Sequence, residues 1–128
     1  EWFIHNRKLS RFQTFVHVID RNLKREGMYG CIHSIDQLSR PRFFEIEMCN
    51  QQDDNTYVTT LLHELVHFEQ RLRGKWKQQW KQDKVQNIWH SKIVPDTTKY
   101  DDEPWEMEAH ALERYYYTKY KECNEPLS

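Results

Sequence analysis

The stretch Val58-Thr59-Thr60-Leu61-Leu62-His63-Glu64-Leu65-Val66-His67-Phe68-Glu69-Gln70-Arg71-Leu72 governs how the rest of the chain is read. Val58, Leu61, Leu62, Leu65, Phe68 and Leu72 recur at spacings of three and four, the period of one apolar face on an α-helix. Upstream, Gln51-Gln52-Asp53-Asp54-Asn55-Thr56 is a polar loop rich in side chains that cap helix N-termini, and Gly74 is placed to end the helix. On that helix His63 and His67 lie four residues apart and therefore on one face, with Glu64 beside them.

Two histidines in this spacing can aim imidazole nitrogens at one ion, and an acid directly after the first has a separate use. Zinc suits such a set, because it accepts nitrogen and carboxylate oxygen in a tetrahedron and keeps a position for water, whose pKa it lowers to roughly 7. Glu64 is then the general base. A third protein ligand is required, and Trp105-Glu106-Met107-Glu108-Ala109-His110 offers it. Glu106 is chosen as the ligand, with His110 one turn on as a partner that orients the site and Glu108, on roughly the opposite side, as the rival ligand.

Working outward, Phe44, Ile46 and Met48 alternate with Glu45, Glu47 and Cys49, which predicts a strand over Phe43–Cys49 with its glutamates turned to water. Tyr29 to Ile35 is read as a second, shorter strand. Leu9, Phe12, Val16, Ile19 and Leu23 suggest an amphipathic helix from about Lys8 to Glu26, ended by Gly27. Asp101-Asp102-Glu103-Pro104 is a helix-start signal, so a last helix is expected from about Trp105 to Lys121. Between Arg71 and Lys92 seven Lys or Arg stand against the single Asp83, interleaved with Trp76, Trp80 and Trp89. This segment is expected to be a solvated helix whose tryptophans complete the core, or an insertion bordering the cleft.

The chain has 128 residues, 38% hydrophobic, 30% charged and 14% aromatic, which allows one domain over residues 1–128 with a small aromatic core. A net charge of −1 gives no general attraction to nucleic acid, so any such contact falls to the 71–92 segment. Without a long apolar run the chain is expected to be soluble, and not to use a membrane. Three scattered cysteines, Cys31, Cys49 and Cys123, point to a reducing compartment such as the cytoplasm.

On these motifs, over roughly Phe43 to Tyr117, the chain resembles the gluzincin branch of the zincin metallopeptidases, and in size the minimal minigluzincins. That resemblance implies an α+β fold in which a short sheet and an N-terminal helix surround the His-Glu-x-x-His helix, and a C-terminal helix brings Glu106. It also implies a zinc-dependent endopeptidase, with a protein or peptide substrate paired along an edge strand, for which 43–49 is the candidate. Glu106-Met107-Glu108-Ala109-His110 fits the Glu-x-x-Ala pattern of several such families, with His110 where an Asp is usual. Two rival readings are an SprT-like protease acting near DNA, with His90 or His110 as third ligand, and a non-catalytic, metal-stabilised binding domain. For oxyanion stabilisation Tyr100, His90, Tyr115, Tyr116 and Tyr117 compete. His5, His17 and His33 have no metal spacing to the motif.

Overall fold

The computed structural model describes residues 2–9, 12–36 and 41–124. A short helix α1 (Trp2–Asn6) is followed by strands β1 (Phe15–Arg21), β2 (Gly30–Ser34) and β3 (Phe43–Cys49), then helix α2 (Asp54–Leu72). Strands β4 (Trp76–Lys81), β5 (Lys84–Trp89) and β6 (Lys92–Val94) come next, then a 3-10 turn at Tyr100–Asp102 and helix α3 (Pro104–Asn124). The class is α+β, with the motif on α2 and Glu106 and His110 on α3.

β3 has the predicted span, and its alternation sorts the two faces. Phe44, Ile46 and Met48 are fully buried, and Glu45 and Glu47 lie on the other face beside His33 and Arg21. The first sheet has the order β1-β3-β2, β1 parallel and β2 antiparallel to β3. Phe43–Cys49 is therefore the central strand and not the edge expected from the sequence: its backbone groups are paired on both sides, and the edges are β1 and β2.

The helix expected over Lys8 to Glu26 is also corrected. An N-terminal helix is present but ends at Asn6, Ser10 and Arg11 lie outside the described residues, and 15–21 is a strand. Val16, Val18 and Ile19 are β-branched, which stiffens them against helix and suits a pleated surface, and parallel pairing to β3 fixes the choice. Leu9 and Leu23, read as one helical stripe, enter the core separately from the loops flanking β1.

The basic segment is not a helix either. It forms an antiparallel meander, β4-β5-β6, through two tight turns. Its tryptophans divide: Trp80 is 66% exposed, whereas Trp76 stacks on Trp105 of α3 with ring centroids 4.8 Å apart and planes 4° from parallel. Arg71, buried near the end of α2, donates to Gln78 Oε1 at 2.7 Å and lies over the Trp76 ring, tying this sheet to the motif helix.

α2 is started by Asp53, whose side chain accepts from the Thr56 N–H at 2.8 Å, and stopped by Gly74 in the left-handed region (φ 77°). Leu62, Val66 and Phe68 reach the core, where Phe68 meets Phe44 edge to face at 5.1 Å. Emptying the Phe68 position with alanine is expected to cost roughly 3–5 kcal/mol. Ala109 and Tyr116 of α3 close the same core, so the two helices that carry the site residues are held by one apolar interface. Glu69 takes Arg7 and Arg73 on its two oxygens and fastens the chain after α1 to α2.

Candidate metal centre

His63 and His67 project from one face of α2 toward Glu106, in the first turn of α3. The three side chains are nearly excluded from solvent. The two Nε2 atoms are 3.2 Å apart, His63 Nε2 is 3.3 Å from Glu106 Oε1, and His67 Nε2 is in still closer contact with the same oxygen. Glu106 Oε2 is buried with no hydrogen-bond partner.

The other ring nitrogens are already engaged. His63 Nδ1 donates to Glu113 Oε2 at 2.9 Å, and His67 Nδ1 donates to Gln70 Oε1 at 2.8 Å. The Gln70 amide is oriented by its own two donations, to the Trp105 carbonyl at 3.0 Å and to Glu108 Oε1 at 3.1 Å, so its oxygen faces His67. With both Nδ1 atoms protonated, two Nε2 lone pairs point at each other and at a carboxylate, an arrangement that only a shared proton or a cation relieves. Nitrogen, nitrogen and carboxylate oxygen are a zinc donor set, and the buried unpartnered oxygen of Glu106 adds a free acceptor.

The electrostatics follow from burial and charge. Burial works against a charged His63, but the carboxylates of Glu106 and Glu113 prevail and push its pKa up to about 10. Burial likewise opposes ionisation of Glu106, and the hydrogen bonds from the two histidines overcome it, holding the carboxyl far below the usual range. Glu64 is raised, chiefly by burial, against the opposing pull of His67 and His63. A carboxylate raised in this way is a better proton acceptor than an exposed one.

A cleft of about 630 Å³ opens beside these groups, and Glu64, His63, Tyr100 and His110 line it together with Tyr29 and Gly30 at the start of β2. His110 is half exposed; its ring lies 4.7 Å from that of His63, its Nδ1 is 3.4 Å from Glu113 Oε1, and its Nε2 is 3.4 Å from the Tyr100 hydroxyl. Donor atoms of His63, Glu106 and His110 all lie within 4.8 Å of one another. Glu108 points to Gln70 instead. His90 sits in the β5–β6 turn against Trp89.

Two contributors escaped the sequence reading. Glu113 follows Glu106 by seven residues and Gln70 follows His67 by three, so both lie on the faces that carry the site, and helical spacing alone could have marked them. Of the five oxyanion candidates, Tyr116 is buried against Phe3, Tyr115 is largely exposed, and Tyr117 donates to Asn55 Oδ1 at 2.6 Å. Tyr100 and Tyr117 both line the cleft, and of the two it is Tyr100 that hydrogen-bonds Glu106.

The His-Glu-x-x-His motif on α2 and the Glu106/His110 group on α3 match the arrangement of gluzincin-like zinc proteases. No family profile, curated protein or solved structure matches this chain, so that likeness is carried by the geometry of the site itself.

Proposed function

We propose that the chain is a zinc-dependent endopeptidase in which His63, His67 and Glu106 hold the ion and Glu64 is the general base. The observation that carries this is the facing pair of Nε2 atoms with Glu106 Oε1 beside them, each imidazole already committed through Nδ1. A zinc ion held there would supply Lewis acidity toward water and the scissile carbonyl. Glu64 accepts the proton of the attacking water on a carboxylate oxygen and delivers it to the leaving amine. Tyr100 lines the cleft, with its hydroxyl 3.4 Å from His110 Nε2 and hydrogen-bonded to Glu106, and is the residue assigned to turn that hydroxyl to the developing oxyanion. Glu113 and Gln70 fix the two ligand rings, and Glu108 acts only through Gln70.

The substrate is a protein or peptide lying extended across the cleft. β2 takes the part first given to 43–49: among the described residues it pairs only with β3, and Tyr29 and Gly30 stand at the cleft with Glu64. Main-chain hydrogen bonds along this edge bind a substrate strand without selecting its side chains. No helix among the described residues is long and apolar enough to cross a membrane. The free thiols of Cys31, Cys49 and Cys123 favour a reducing compartment. Nothing in the β4–β6 sheet favours the DNA-associated reading over this one, and although His110 lies near His63 and Glu106, it is Glu106 Oε1 that contacts both Nε2 atoms.

The test is elemental analysis of purified wild type, His63→Ala, Glu64→Gln and Glu106→Gln, with casein cleavage on the same samples. Zinc bound by wild type and by an inactive Glu64→Gln, but weakened in the other two, supports the assignment. Folded wild type that binds no zinc, or a Glu64→Gln protein that still cleaves casein, sinks it.

A further inference from the structure

A second group of metal-ligating side chains lies on the opposite face of the first sheet. Cys31 and His33 alternate along β2 and so share a face, and the register places Glu47 directly across from Cys31 and Glu45 directly across from His33. The four make a rectangle spanning two strands. Cys31 Sγ is 3.5 Å from Glu47 Oε2, His33 Nε2 is 3.2 Å from Glu45 Oε1, and donor atoms of Cys31, His33 and Glu47 all lie within 4.8 Å of one another. Around a tetrahedral zinc with bonds of 2.0–2.3 Å, donors sit roughly 3.5 Å apart, so small side-chain rotations suffice to close this set on one ion.

We infer that Cys31, His33 and Glu47 form a second site for a borderline divalent cation such as zinc or cobalt, its fourth position left to water, separate from the His63/His67/Glu106 cluster. Sulfur, imidazole nitrogen and carboxylate together select such ions over calcium or magnesium, which prefer oxygen alone. Arg21 occupies Glu47 Oε1 at 3.2 Å and leaves Oε2, the oxygen facing the thiol, as the ligand atom. Cys31 and Glu47 are partly sheltered by the sheet, and His33 at the rim gives the ion its way in. An ion here clamps β2 to β3 through side chains, on the strand whose first residue, Gly30, lines the cleft. The site does not depend on the proposed protease activity.

Cobalt is the probe, because a thiolate ligand gives an intense near-ultraviolet charge-transfer band that a site of nitrogen and oxygen cannot produce. Full-length Cys123→Ser protein, freed of its exposed thiol, is titrated with cobalt while circular dichroism follows the fold. The band is expected to appear, to persist in a His67→Ala protein, to vanish in Cys31→Ser, and to be lost or shifted to much higher cobalt in His33→Gln and Glu47→Gln. No band at saturating cobalt in folded protein overturns the site. So does a band that survives Cys31→Ser, or one indifferent to both His33→Gln and Glu47→Gln.

Discussion

Glu113 grips His63 from behind: its Oε2 accepts from Nδ1 at 2.9 Å, while its Oε1 is 3.4 Å from Nδ1 of His110. One carboxylate thus sets the orientation of a metal-facing imidazole and steadies the cleft-wall histidine. Glu113→Ala is expected to weaken zinc binding roughly 10 to 100-fold, the usual loss when an outer carboxylate partner is removed. Glu113→Gln, which can still accept from Nδ1 but carries no charge, should fall between. Competition against a chelator of known affinity measures both, and unchanged affinity in Glu113→Ala would remove the residue from the site.

Gln70 does the same for His67, from inside the core. It is almost fully buried, and it joins His67 Nδ1, the Trp105 carbonyl and Glu108. Gln70→Leu keeps the volume but strands a ring N–H and a carbonyl away from water. A loss of roughly 1–3 kcal/mol in folding stability is expected for each group left unpaired. Urea unfolding of metal-stripped wild type and variant separates this from the effect on zinc, and equal midpoints would contradict it.

How much of this was visible beforehand depends on how local each signal is. α2, β3 and α3 carry period and cap in adjacent residues, and they emerged close to their read positions. β1 did not, because Phe12, Val16, Ile19 and Leu23 mimic helical spacing, and only pairing with β3, far along the chain, makes 15–21 a strand. The same holds for the edge: that β3 is central follows from a strand order no short window contains. The β4–β6 sheet hid for another reason. Its turns place Gln82, Asp83, His90 and Ser91 at φ of 53°, 62°, 48° and 68°, the left-handed region that Asn-Gly or Asp-Gly would have advertised. At the site, spacing put His63, Glu64 and His67 on one helix and left Glu106, Glu108 and His110 as candidates for the third position, while Glu113 and Gln70 needed the packing of α2 on α3 to give them partners.

In metal-free protein a proton does part of the cation's work. The ordinary His63 value of 6.5 is raised to about 10 by its two carboxylates against burial, so the stability this proton contributes is complete below 6.5 and is lost as pH rises through about 10. Glu106 runs the other way: its lowered pKa gives a contribution present above the ordinary 4.5 and lost as pH falls through its depressed folded-state value. The thermal midpoint of stripped protein should therefore decline from pH 6.5 upward. Added zinc should stabilise more at the alkaline end of that window, where less proton must be displaced. A stripped protein with a flat profile across the window would contradict the coupling of His63 to Glu106 and Glu113.

Gly30 brings the first sheet close against the motif helix. A Cβ there would stand 2.9 Å from Thr60 Cγ2, 3.1 Å from Met48 Sδ and 3.3 Å from the Glu47 carbonyl oxygen, and two of these three neighbours cannot swing far. Gly30→Ala must push the start of β2 away from α2, at a cost of roughly 1–3 kcal/mol for overpacking a filled space. The displacement falls on the edge strand, beside Tyr29 at the cleft that Glu64 also lines, and is expected to spare the residues of α2 and α3 assigned to the ion. The variant should therefore keep its zinc and lose grip on extended substrate: KM rises, while kcat and metal content change little. Peptide cleavage kinetics beside elemental analysis reads the two apart. If KM holds and kcat falls with the zinc, the strain has reached the metal ligands, and β2 is not the strand that binds substrate.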